Sequence, residues 1–209
     1  DLTASGPGGR DFTAITASVD LTHAQLDVAE FGWSKKYDAP AKGTFRYGKG
    51  NEGAILTGVI ATEANFNLAD LTRAQMAEGD FSRAMFYGAQ MSGADPSATD
   101  LTEARMQTAR LTSARMAGTM LDRALMRDAV ANNVDFSRAS MRETNLNGAH
   151  LGRSQFDGAT IVNSGFVKAE ASSASFVGAT ISISDFYKAD LRRAKVTGAK
   201  LLTHEDLDA

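Results

Sequence analysis

Apolar residues recur along this chain every five positions, a spacing that neither an α-helix nor a β-strand uses. From Ala54 to Thr203 the sequence divides into thirty consecutive five-residue units without insertion or deletion. The third residue of each unit is the centre, in a series that opens Leu56, Ala61, Phe66, Leu71, Met76, Phe81 and closes Phe186, Leu191, Val196, Leu201. Twenty-six of the thirty centres are large and apolar, so this position is an inward one. The first residue of each unit is alanine in 21 cases and Gly, Ser or Thr in seven more, which makes it a second, small inward slot. The other three positions are mostly polar or glycine, with apolar exceptions such as Ile55, Met85, Leu125 and Val167.

At about 100° per residue a helix would scatter successive centres around its axis. A strand would put them on alternate faces and bury half. The pattern is satisfied by a backbone that turns about a quarter every five residues, so that every centre points at a common axis. The units Ala69-Asp70-Leu71-Thr72-Arg73, Gly79-Asp80-Phe81-Ser82-Arg83 and Ala189-Asp190-Leu191-Arg192-Arg193 resemble the A(D/N)LxX signature of pentapeptide-repeat proteins. That resemblance implies an all-β fold, a right-handed quadrilateral parallel β-helix with four repeats per coil. Thirty repeats then give seven and a half coils and a rod of roughly 36 Å at about 4.8 Å per stacked strand. The residue before the centre is Asp or Asn in nine of the thirty repeats, so the core pattern is kept while the surface departs from the signature.

Stacking by four aligns residues twenty apart. One interior column reads Phe66, Phe86, Met106, Met126, Leu146, Phe166, Phe186, and another carries Ala131 and Ala171 as thin spots. The chain is expected to be a single domain of 209 residues: an N-terminal cap over 1–18, repeats over 19–33 and 54–203, and a tail over 204–209. Between them, 34–53 is expected to be an inserted loop thrown out from a corner. Read as a coil it would place Lys36, Ala41, Arg46 and Asn51 at the centres, which are poor core residues. A loop of this length is often functional. It and its flank hold Trp33, Lys35, Lys36, Tyr37, Lys42, Phe45, Arg46, Tyr47 and Lys49, basic residues interleaved with aromatics, which are the candidate partner-binding residues. The alternative is that these aromatics pack back on the rod.

Composition changes the picture in two places. The 35 alanines suggest helix on propensity alone, but most fill the small inward slot. The absence of cysteine excludes disulfides and Cys-ligated metal. Net charge is −3, and no apolar run is long enough to span a membrane. The chain starts at Asp1, which suits a cleaved precursor or a trimmed start equally.

No catalytic motif emerges, and an enzyme is not expected. Gly48-Lys49-Gly50-Asn51-Glu52-Gly53 spells GxGxxG but lacks the strand-to-helix setting that dinucleotide binding needs. His23, His150 and His204 are far apart at outward or terminal positions, and the methionines are mostly centres, so no metal or other cofactor is expected. The resemblance implies a non-enzymatic scaffold or docking protein that binds another protein. It extends to a subunit of a membrane-associated photosynthetic complex in the thylakoid lumen, with cytoplasmic or periplasmic placement as the alternatives. Some members of the family mimic duplex DNA and bind type II topoisomerases through acidic surfaces, which is the alternative function. Here residues 54–203 hold 16 basic and 15 acidic residues, and the four faces carry about −1, −2, +2 and +2. That balance makes nucleic acid an unlikely partner.

Overall fold

The structure is a computed structural model. It describes residues 2–5, 14–20, 26–28, 33–35, 41–48 and 53–202, with side chains over 53–201. From residue 54 onward the chain is a right-handed β-helix of square coils. Residues that precede a centre pair in parallel with the residue twenty later, as in Asn65 with Met85 and Met85 with Arg105; the exception is Asp95 with Arg115, where Pro96 has no N–H to donate. Met76 shows the local grammar. Its N–H donates to the Asp95 carbonyl at 2.8 Å, and the Asp95 N–H returns to the Ala74 carbonyl at 2.8 Å. Backbone groups are thus paired between coils while both inward side chains face the axis.

Between sides the chain turns within one unit. The first residue of the next unit donates to the centre carbonyl, as Ala69 N–H does to Phe66 at 3.1 Å. The fifth residue takes positive φ in all 29 units from residue 58 to residue 198, while the fourth does not, the dihedral sign of a type II turn. Only eight of those 29 are glycine. The others include Ile183 at φ 49° and Leu68 at 60°, conformations that L side chains resist.

Every inward position from 54 to 181 is buried. The aromatic centres stack coil on coil: Phe136 on Phe156 at 5.0 Å, Phe156 on Phe176 at 4.8 Å, and Phe66 on Phe86 at 4.9 Å. Ala131 and Ala171 are themselves fully buried.

Turns along one side depart from the common form among the described residues. Strands β8 (Ser140–Arg142), β9 (Thr160–Val162), β10 (Thr180–Ser182) and β11 (Lys200–Leu202) lengthen one side, paired in parallel in the order β8-β9-β10-β11. After β8 the Thr144 N–H no longer reaches Met141. It donates to Ser164 Oγ at 3.1 Å, and that hydroxyl donates to the Met141 carbonyl at 2.8 Å. Ser154 does the same between Val134 N–H and the Ala131 carbonyl. At Ser154 and Ser164 a hydroxyl in the small slot therefore replaces a turn hydrogen bond, whereas the Thr119 and Thr144 hydroxyls add a bond to a carbonyl that keeps its turn partner.

The N-terminal part differs from the expected coil and loop. Strands β1 (Leu2–Ser5), β2 (Ala14–Asp20) and β5 (Ala41–Gly48) form an antiparallel sheet, with Ile15 opposite Tyr47 and Ala17 opposite Phe45. β5 also runs antiparallel to the first coil, pairing with β6 (Ala54–Ile55) and then, five residues away, with β7 (Ile60–Ala61). Strands β3 (Leu26–Val28) and β4 (Trp33–Lys35) pair as a separate antiparallel two-stranded sheet. Much of the expected loop over 34–53 is thus the strand that caps the rod, and 19–33 does not supply parallel coil strands where it is described. The physical reason is the missing centres: with Lys36 and Arg46 at those places no coil can stack. The two-residue alternation of 14–20 and 41–48 favours antiparallel strands instead. The tail over 204–209 lies outside the described residues.

Candidate functional site

Among the described residues the polar chemistry lies on four flat faces and four corners. Part of the polar surface is committed to the backbone. All nine Asp or Asn residues before a centre accept the N–H two residues on, as Asp80 does from Ser82 at 3.0 Å. Where that residue is not Asp or Asn, a fourth-position Asn or Asp of the preceding coil can do the work. Asn67 accepts from Tyr87, Asp122 from Arg142, Asn132 from Gly152, Asn147 from Val167 and Asp157 from Val177. These carboxylates and amides cap turns.

One corner carries Glu63, Arg83, Glu103, Arg123 and Glu143 at twenty-residue spacing. Arg83 bridges Glu63 at 2.9 Å and Arg123 bridges Glu103 at 3.0 Å. The pairs are exposed, so each contributes at most about 1 kcal/mol. On the fourth face His150 Nδ1 meets Glu170 Oε2 at 2.7 Å, while His23 and His204 lie outside the described residues. Asp190 accepts two hydrogen bonds from the Arg192 guanidinium, at 2.9 and 2.7 Å. These, with the Arg192 N–H, lower its carboxyl from 3.8 to about 2.

The expected partner-binding residues are partly brought together. Lys42, Phe45, Arg46 and Tyr47 share β5, while Trp33 and Lys35 sit on β4. Lys36, Tyr37 and Lys49 lie outside the described residues. β5 is an interior strand, its backbone paired on both sides, rather than a free loop. The GxGxxG segment leaves β5 and enters β6, not a helix. Gly53, at φ 70°, sits so close to the next coil that a Cβ would lie 2.6 Å from the Arg73 backbone.

Three features were not expected. Leu68 and Tyr87 are 73% and 53% exposed on adjacent coils at one corner. Arg105 lies between Met85 and Leu125 on the third face, a placement that the outward apolar residues hinted at but only stacking reveals. The last coil has no successor among the described residues, and Leu191, Val196 and Leu201 surround an apolar hollow of about 510 Å³. Among the described residues no group of His, Cys, Asp and Glu could hold a metal ion, and no helix is long and apolar enough to cross a membrane.

Several solved structures are similar to this chain. The trypsin-treated form of QnrB1, a plasmid-mediated fluoroquinolone resistance protein, is similar at 18% identity and a TM-score of 0.50, over 70% of this chain and 84% of its own. HetL, a pentapeptide repeat protein involved in heterocyst differentiation regulation in the cyanobacterium Nostoc, is 25% identical at a TM-score of 0.41, over 69% and 75%. A pentapeptide repeat protein from the Arabidopsis thaliana thylakoid lumen is 24% identical at a TM-score of 0.24, over 52% and 65%. No curated protein matches the chain by sequence. The family model described as Pentapeptide repeats matches in eight copies, over residues 52–86, 64–95, 89–128, 121–158 and 135–169. With that match over more than half its length, the chain belongs to the pentapeptide-repeat family.

Proposed function

We propose that this protein is a rigid scaffold that docks another protein on the side faces of its rod. Members of the family are in general structural or protein-binding rather than enzymatic. The observation that carries the reading is the outward lattice. Stacked backbone pairing holds each outward side chain next to the one twenty residues on, above a core with every inward position from 54 to 181 buried. Such a surface is preorganised, so a partner meets side chains whose ordering cost is already met by the fold. Exposed Leu68 and Tyr87 offer the apolar contact that protein interfaces need.

The residues of β4 and β5, with Lys36, Tyr37 and Lys49, remain a proposed contact at the capped end. Mimicry of duplex DNA calls for acidic faces, and two faces here are net basic. The lumenal, photosynthetic setting is a separate proposal, which fractionation of source cells checks. The function itself is tested by affinity capture from the source organism followed by direct titration of the recovered protein against the purified rod. Saturable binding is expected, without effect on gyrase supercoiling. Inhibition or protection of gyrase would overturn the scaffold reading.

A further inference from the structure

Two arginines of the middle coils, Arg105 and Arg110, make no ion pair with a described residue. Arg105 and Arg110 lie on the third and fourth faces of one coil and both are exposed. Their neighbours twenty residues away are Met85 and Leu125 for Arg105, and Gln90 and Val130 for Arg110. Over the three coils that contain them, residues 84–93, 104–113 and 124–133 of these faces hold four charged side chains. Arg127 and Asp128 pair with each other at 3.2 Å. Arg105 and Arg110 have no carboxylate within ion-pair distance among the described residues. Arginines 83, 115, 123 and 192 each face an acid, while Arg138, Arg142, Arg153 and Arg193 are, like Arg105 and Arg110, without an ion pair among the described residues; the apolar neighbours Met85, Leu125 and Val130 are what mark out Arg105 and Arg110.

Two uncompensated guanidinium groups set among apolar side chains on a rigid floor have the composition of an interface centre, where arginine and aromatic residues are enriched. Tyr87, 53% exposed, follows Met85 around the same corner and extends the apolar part. We propose that this corner, centred on Arg105 and Arg110, docks an acidic, apolar-rich segment of a partner protein. Its carboxylates pair with the two arginines, bidentate in the geometry that guanidinium favours. Its apolar side chains cover Met85, Leu125, Val130 and Tyr87. A phosphate backbone fits less well, because a nucleic-acid track needs a run of cations and this patch offers two, divided by apolar rungs. The proposal rests on the scaffold reading and names the surface and partner chemistry within it.

The test uses the full chain and a fluorescein-labelled peptide of twelve residues in which Asp and Glu alternate with Leu and Phe, followed by anisotropy. Saturable binding that weakens with added salt is expected. The pair R105E and R110E lowers affinity roughly tenfold or more. R105K with R110K retains part of it, and R138E with R142E on the other two faces leaves it unchanged. Matching thermal melts show that the variants are folded. No saturable binding, an equal loss in R138E with R142E, or displacement of the peptide by a DNA duplex at lower concentration than by unlabelled peptide would overturn the proposal. Failure here is distinguishable from failure of the scaffold reading: a partner captured on the intact rod that R105E with R110E still binds sinks this surface alone.

Discussion

Ser164 stands twenty residues beyond Thr144, and its hydroxyl accepts the Thr144 N–H at 3.1 Å while it donates to the Met141 carbonyl at 2.8 Å. One buried side chain thus closes a turn that the backbone leaves open. Ser164→Ala strands a donor and an acceptor in the core and is expected to cost about 2–3 kcal/mol. Ser164→Thr keeps the hydroxyl and loses less. Urea unfolding of the two variants checks the difference, and equal stability of Ser164→Ala and the parent would refute the role.

Phe156 is sandwiched between Phe136 and Phe176, with ring planes 13° and 5° apart. Phe156→Ala removes the middle of that stack and is expected to destabilise by about 3–5 kcal/mol. Phe156→Leu, which refills much of the volume, loses less by the same denaturation measurement.

Ile183, 46% exposed, holds φ at 49°, a β-branched residue in a left-handed turn. Relief of that strain should outweigh the lost contacts, so Ile183→Gly is expected to stabilise by about 1 kcal/mol. Thr108→Gly, at φ 58°, is the mid-rod counterpart. A rise in melting temperature for each is the expected result.

Asp190 keeps its charge down to about pH 2 because Arg192 hydrogen-bonds its carboxylate. A carboxyl lowered on folding stabilises above its unfolded value of 3.8, and that contribution fades as pH falls from about 4 towards 2. The pair is solvent-exposed, so added salt weakens it. Carboxyl-carbon NMR titration should show the Asp190 midpoint move up towards 3.8 in Arg192→Gln.

The rod was legible in sequence because two inward slots per unit leave a period that no other backbone satisfies. The turn conformation was not. Positive φ usually announces itself through glycine, but Glu, Arg, Lys and even Ile hold the fifth position here, so stacking rather than local preference imposes it. The strand at 41–48 was hidden for a related reason. Leu26 fits the five-residue frame by spacing yet lies on β3, and that frame concealed the two-residue alternation of 14–20 and 41–48. Met85, Arg105 and Leu125 share one outward column by the twenty-residue rule, and the parallel bridges place them on adjacent rungs.

The central claim is that a partner reads the outward lattice of an intact rod, and footprinting of the complex with the captured partner tests it most directly. Hydroxyl-radical protection should fall on outward residues of one or two adjacent faces, repeating at twenty-residue intervals along consecutive coils, with no change at the inward positions. Protection confined to one continuous stretch of sequence, or newly exposed core residues such as Phe156, would contradict the account.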